Sequence, residues 1–226
     1  MSRRAPEASV RSEGRSEIHC PRKQRTAFEG SLALRKPPLC PEIALWLMAK
    51  DVDLEAQCAR LHAGASPPYW AFCWGSGQAL ARWILDRPDE VAGRRVVDFG
   101  AGSGIAGIAA ARAGAAGVQA VDIDPAARRA VRANAEANNV LVQTAESVGA
   151  DWDLLLAGDV LYEPGPAQAI AGLCRAASGS SGRLVVSEPE RPGNPGHPSP
   201  VIARYEVRTF PDVDSPTRAA CIYRLA

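Results

Sequence analysis

Between residues 96 and 104 the chain reads Val96-Val97-Asp98-Phe99-Gly100-Ala101-Gly102-Ser103-Gly104. A short apolar run ends in an acid, three alternating glycines follow, and an Ala-rich run begins at Ile105. Glycines lack a Cβ and reach positive φ at little cost, so such a loop lets the backbone approach a ligand closely. A strand, this loop and then a helix would set the glycines at the carboxyl end of a strand, where open α/β sheets bind ligands. A second acid, Asp122, closes the next apolar run, GVQAVDID. A carboxylate there can accept both hydroxyls of a ribose through strong charge-assisted hydrogen bonds.

Two ligands fit these residues. A dinucleotide would use Gly102-x-Gly104-x-x-Gly107, with Asp122 lying 20 residues after Gly102 as its ribose acid. S-adenosyl-L-methionine would use the D-x-G-x-G-x-G pattern of Asp98, Gly100, Gly102 and Gly104. This ligand has no phosphate and carries an ammonium group, which an acid such as Asp98 suits better than it suits a pyrophosphate. Glu146, after the third strand, could meet the adenine amino group or stand as a solvated loop acid. Asp124, directly before Pro125, reads as a helix N-cap.

The segment Pro68-Tyr69-Trp70-Ala71-Phe72-Cys73-Trp74-Gly75-Ser76-Gly77-Gln78-Ala79-Leu80-Ala81-Arg82 resembles the P-Y-W-A-x-x-W-x-G-G-x-A-L-A-R signature of the electron-transfer-flavoprotein β-subunit lysine methyltransferases. Bacterial members of that family are often labelled predicted nicotinamide N-methyltransferases. The likeness continues through VVDFGAGSGIAGIAAARAGA, VDIDP and AGDVLYE to the closing strands. It runs from about residue 38 to the end. The resemblance implies a class I methyltransferase fold: a Rossmann-like sheet of seven strands, mostly parallel with an antiparallel last strand and helices on both faces. It implies S-adenosyl-L-methionine as cofactor and a protein substrate, the electron transfer flavoprotein β-subunit. It also implies Trp74 against the cofactor, with Asp159 and Tyr162 of a D-x-x-Y motif lining the acceptor-lysine pocket. The chain departs from the family pattern in two places: Ser76 stands where glycine is usual, and Ser187-Glu188-Pro189-Glu190-Arg191 stands for a G-D-P-G-R run, with Glu190 in place of its second glycine.

Methyl transfer is a displacement at a sulfonium, so much of the catalysis is alignment. A lysine acceptor must also lose a proton. Asp159 could hold the ammonium while desolvation lowers its pKa. Tyr69, Trp70 and Tyr162 offer aromatic faces to a cation. Glu188 is placed with the substrate-facing residues, although an ion pair with Arg191 would also account for it. A small-molecule N-methyltransferase, an NAD-dependent oxidoreductase and a non-catalytic module of the same fold are the alternatives. The oxidoreductase leaves the D-x-x-Y and P-Y-W segments unexplained.

These residues need a scaffold, and the pattern supplies one. Strand-like runs at 94–100, 117–124, 140–145, 151–162 and 182–189 alternate with helix-like runs at 105–115, 125–139 and 167–177. That alternation predicts parallel β-α-β units. A further helix is expected at 77–86, and a strand or short helix followed by a helix over 41–62. Proline makes 188–200 a loop. ARYEVRTF and ACIYRLA should form a closing antiparallel pair. Residues 1–27 are polar and aperiodic, and are expected to form a disordered arm before a methyltransferase domain at 28–226.

The 226 residues carry a net charge of +1, with 46% hydrophobic and 23% charged residues. Such a charge gives no field to attract nucleic acid or an anionic membrane. No run reaches the roughly 20 apolar residues of a membrane span. The six cysteines form no C-x-x-C pair, which disfavours a zinc site and favours free thiols; no metal is expected. A monomer working in the cytoplasm is the expected state.

Overall fold

The computed structural model describes residues 32–49, 68–160, 183–190, 199–211 and 217–225, with Gln168, Ile170 and Gly172. A hairpin comes first, β1 (Leu32–Arg35) antiparallel to β2 (Leu45–Met48). A short 3-10 turn, Tyr69–Ala71, leads into α1 (Gly75–Asp86). Then follow β3 (Arg95–Phe99), α2 (Ile105–Arg112), β4 (Gly117–Val121), α3 (Pro125–Ala137), β5 (Gln143–Ala145) and β6 (Leu154–Gly158). The strands β7 (Arg183–Pro189), β8 (Val201–Val207) and β9 (Arg218–Leu225) complete the sheet.

The seven-stranded sheet has the order β5-β4-β3-β6-β7-β9-β8. Its first five strands are parallel, and β9 runs antiparallel between β7 and β8. This is the class I sheet expected from the resemblance. Val96-Val97 and Leu154-Leu155-Leu156-Ala157 are apolar without alternation because both faces of these central strands are covered. On one face Leu80 and Trp83 of α1 and Ile105 and Ile108 of α2 pack on Val96, Leu154, Leu156, Val185 and Ile222. On the other, Val97, Leu155, Ala157 and Val186 pack with Ile170. Ile170 lies in the expected 167–177 helix, of which the described residues are helical and the rest fall outside the description. The expected 1–27 arm and the helix in the second half of 41–62 also fall outside it.

The crossovers turn the carboxyl ends of β3 to β7 toward one edge. Asp98, Asp122, Glu146, Asp159 and Glu188 therefore come from five consecutive strand ends on one side of the sheet. Strand order reverses beside β3, with β4 on one flank and β6 on the other, and ligands gather at such switch points.

The hairpin was not expected at β1, and α3 explains its position. Asn134 is fully buried; its Oδ1 accepts the Trp46 N–H at 2.6 Å and its Nδ2 donates to the Ser103 carbonyl at 2.8 Å. One turn later Asn138 accepts the Ala44 N–H and donates to the Ala44 carbonyl. Asn134→Ala would leave the part-buried Trp46 N–H and the buried Ser103 C=O without this partner, so a stability loss of about 2 kcal/mol is expected from denaturant unfolding. A loss under about 0.5 kcal/mol would show that the two groups find other partners.

Candidate functional site

The glycine loop is fixed by backbone bonds before any ligand arrives. Gly100 and Ala101 N–H both donate to the Val121 carbonyl, and Gly104 N–H donates to the Ala101 carbonyl. Gly100, Gly102 and Gly104 take φ of 66°, 51° and 80°, the left-handed region where L side chains are strained. A Cβ on Gly100 would stand 3.0 Å from Val160, and one on Gly104 3.0 Å from Val131 of α3. At Gly102 the nearest such contact is 4.0 Å away, so a side chain there would project into the cleft. Gly107, the third glycine of the dinucleotide-like spacing, lets α2 approach β3: its N–H donates to Asp98 Oδ2 at 2.8 Å.

An open cleft lies over this loop. Trp74, Gly77 and Leu80 of the α1 region form one wall, and Asp98, Gly100, Gly102 and Ser103 form the floor, with Gly158 at the side. Trp74 is the N-cap of α1. Its Nε1–H donates to the Tyr69 carbonyl at 2.9 Å, and its ring meets Tyr69 edge-on at 5.8 Å and Phe72 at 6.2 Å.

Asp122 ties the loop to β4. Its Oδ2 accepts the Gly102 N–H and its Oδ1 the Asp124 N–H, both at 2.9 Å. Asp124 caps α3 as expected, accepting from Ala126 N–H at 2.7 Å. Arg128 donates to the Asp122 and Ile123 carbonyls and stands 3.7 Å from Glu146, whose side chain is 75% exposed. Ile123 is 83% exposed beside Asp122, an apolar face that the sequence reading passed over. Gly77 and Gly158 were missed as well. A Gly158 Cβ would meet the Gly77 nitrogen at 3.3 Å, a close approach of β6 to α1 that the motif segments holding the two glycines do not show.

On the acceptor side Asp159 follows Gly158 and takes φ 56°. Its N–H donates to the Ser187 carbonyl at 2.9 Å. Glu188, expected to face substrate, is 8% exposed and its Oε1 accepts the Val160 N–H at 3.0 Å. Trp70 is buried with Met48, Ala127 and Ala130, while Tyr69 is 53% exposed. Tyr162 and Arg191 lie outside the described residues. Glu190, the departure from the family pattern, follows β7 and pairs with Arg204 of β8 at 2.6 Å. Among the described residues no cluster of His, Cys, Asp or Glu could hold a metal. Cys40, Cys73 and Cys221 are free and buried, and burial pushes the Cys40 thiol up to about 12.

Burial raises the Asp98 carboxyl from its ordinary 3.8 to about 7, against the lowering effect of the Gly107 N–H; the nearby Asp122 carboxylate adds to the rise. The folded chain therefore holds this proton more tightly than the unfolded chain. The associated stability is present below about pH 4 and is lost as pH rises through about 7. Melting of the ligand-free protein from pH 5 to 8 should show this fall, and Asp98→Asn should remove that part of it. Parallel profiles for the two proteins would exclude the effect.

The donor set fits S-adenosylmethionine. Asp98, Gly100 and Gly102 line the cleft, and Asp122 holds the loop through the Gly102 N–H. The protein family described as Ribosomal protein L11 methyltransferase (PrmA) matches residues 79–160. The electron transfer flavoprotein beta subunit lysine methyltransferase of Xenopus laevis is 39% identical over 168 residues, 71% of this chain and 68% of that protein. The Homo sapiens protein of the same name is 37% identical over 70% of this chain and 63% of its own length, so the chain spans about two thirds of these relatives. Among solved structures, the Synechocystis magnesium protoporphyrin IX methyltransferase with bound SAM is 18% identical, with a TM-score of 0.49 over 66% of this chain and 76% of that one. The sheet, the cleft and the identity to the frog protein together make this chain a class I methyltransferase that uses S-adenosylmethionine, and it belongs to the electron transfer flavoprotein β-subunit lysine methyltransferase family.

Proposed function

We propose that the chain methylates lysine side chains of a protein, the electron transfer flavoprotein β-subunit, acting as a monomer in the cytoplasm. The observation that carries this reading is Asp159. A non-glycine residue held at φ 56° costs of order 1–3 kcal/mol, and such strain gathers at functional sites. The residue before it, Gly158, lines the cleft, so the strained turn sets a carboxylate beside the ligand-binding loop. The names of the frog and human relatives support the substrate.

Bound S-adenosylmethionine supplies a methyl group on a sulfonium. Asp98 would hold its ammonium, Asp122 its ribose hydroxyls, Glu146 its adenine amino group, and Ile123 and Trp74 its apolar surfaces. On the acceptor side Asp159 receives the lysine ammonium in a partly dry site, where loss of water favours the neutral amine and its proton passes to solvent. Its carboxylate then orients the lone pair, with Tyr162 as its partner in the motif. Tyr69, exposed beside Trp74, offers the arriving cation an aromatic face.

Incubation with methyl-labelled S-adenosylmethionine and the flavoprotein from the same source, followed by mass spectrometry of its β-subunit, tests this. Added methyl groups on lysine are expected. No label on the protein, with cofactor binding intact by calorimetry, would exclude this substrate and favour a small amine.

A further inference from the structure

We infer that Glu188 is a positioning residue for the acceptor acid: it acts through the Asp159–Val160 turn and does not touch substrate. The inference rests on the reading of Asp159 given above. Two neighbouring residues of β7 secure two neighbouring amides at the end of β6. Ser187 takes the Asp159 N–H with its backbone carbonyl, and Glu188 takes the Val160 N–H with its side chain at 3.0 Å.

The need for that side chain follows from the backbone. The parallel ladder between β6 and β7 ends at the Gly158–Ser187 pair. Asp159 then turns into the left-handed region, which takes the next N–H out of strand register. Val160 is 7% exposed, so its N–H cannot turn to water and must find a partner inside. A carboxylate on the adjacent strand supplies one, and such charge-assisted bonds are the stronger kind. The Val160 side chain in turn lies against Gly100, where a Cβ would stand 3.0 Å from it. The turn that carries Asp159 is thus wedged between Glu188 on one side and the ligand-binding loop on the other. What the turn requires of position 188 is an acceptor of the right length, and its charge is dispensable.

That requirement separates the two roles of Glu188. Glu188→Gln keeps an acceptor of the same reach; Glu188→Ala removes it. Displacing a catalytic group by about 1 Å can cost about a hundredfold in rate, so Glu188→Ala should lower kcat by about that factor, with cofactor Kd and protein KM within about threefold. Glu188→Gln should return kcat to within about threefold of the natural protein. Hydrogen exchange at the Val160 amide gives a readout independent of turnover: fast in Glu188→Ala, protected in Glu188→Gln. Equal loss of kcat in the two variants would overturn the proposal, because the charge itself would then be needed. An unchanged Val160 amide in Glu188→Ala would also overturn it. Full turnover in Asp159→Asn would remove the acceptor reading beneath it, a distinct result because the Val160 exchange rates would remain as expected.

Discussion

Asp159→Asn should lower methyl transfer by about a thousandfold while S-adenosylmethionine binds within about threefold of its natural affinity. The magnitude is that of losing a positioned acid–base group, for which factors of about 10² to 10⁴ are usual. Asparagine is the informative replacement because it tolerates the left-handed backbone at φ 56°, whereas alanine would add strain and confuse a turn defect with a chemical one. The cofactor should be indifferent because none of its expected contacts uses Asp159: the floor of the cleft is Asp98 and the glycine loop, and its side is Gly158. Single-turnover rates with the flavoprotein β-subunit, set beside calorimetry, separate the two. Natural turnover in this variant would end the acceptor role of Asp159.

The second large effect belongs to Asp122. Asp122→Ala should weaken S-adenosylmethionine binding by about a hundredfold, and two losses combine in it. The expected hydrogen bonds to the ribose hydroxyls vanish, and hydrogen bonds to a charged group are worth about 1.5–3 kcal/mol each. The Gly102 and Asp124 N–H groups also lose the carboxylate that accepts from them at 2.9 Å. An ionised carboxylate has about four acceptor positions, so two internal bonds leave room for two more to a ligand. Calorimetry of the variant at matched stability would measure the loss. An affinity within about threefold would exclude Asp122 as the ribose acid.

The cofactor half of the site was legible in the sequence because its residue types are locally forced. Glycine is required at 100, 102 and 104 by backbone conformation, and Asp124 sits where an N-cap must precede Pro125. The acceptor half was legible only as a motif. Nothing in AGDVLYE shows that Asp159 is left-handed, and the groups that bind its turn, Ser187 and Glu188, each lie 28 residues from the amide they accept from. Glu188 was grouped with the substrate-facing residues, with an ion pair to Arg191 as the other reading. Its partner is a backbone N–H, which leaves no trace in residue types. The same holds for the hairpin. The strands LALR and LWLM are four residues each, too short for a pattern, and the groups that hold β2 are Asn134 and Asn138, 88 and 94 residues away. The strand expected at 140–145 begins only at Gln143, because the Val140 N–H still belongs to the end of α3, donating to the Ala135 carbonyl.

The place of β9 bears on how the molecule can be made. It is inserted between β7 and β8, and β8 has no other strand neighbour among the described residues. While the chain is emerging from the ribosome, β3 to β7 can assemble in order, each new strand finding a partner already present. β8 cannot: it must wait until Arg218–Leu225 are free of the exit tunnel, and until then the apolar edge of β7 is an open template for a stray strand. The ligand-binding half of the sheet can thus form before β9 emerges, while the half that carries Ser187 and Glu188 is sealed only when β9 arrives. A chain cut before β9 would keep every glycine and acid of the cofactor loop and yet lack the strand that covers the outer edge of β7, which carries Ser187 and Glu188.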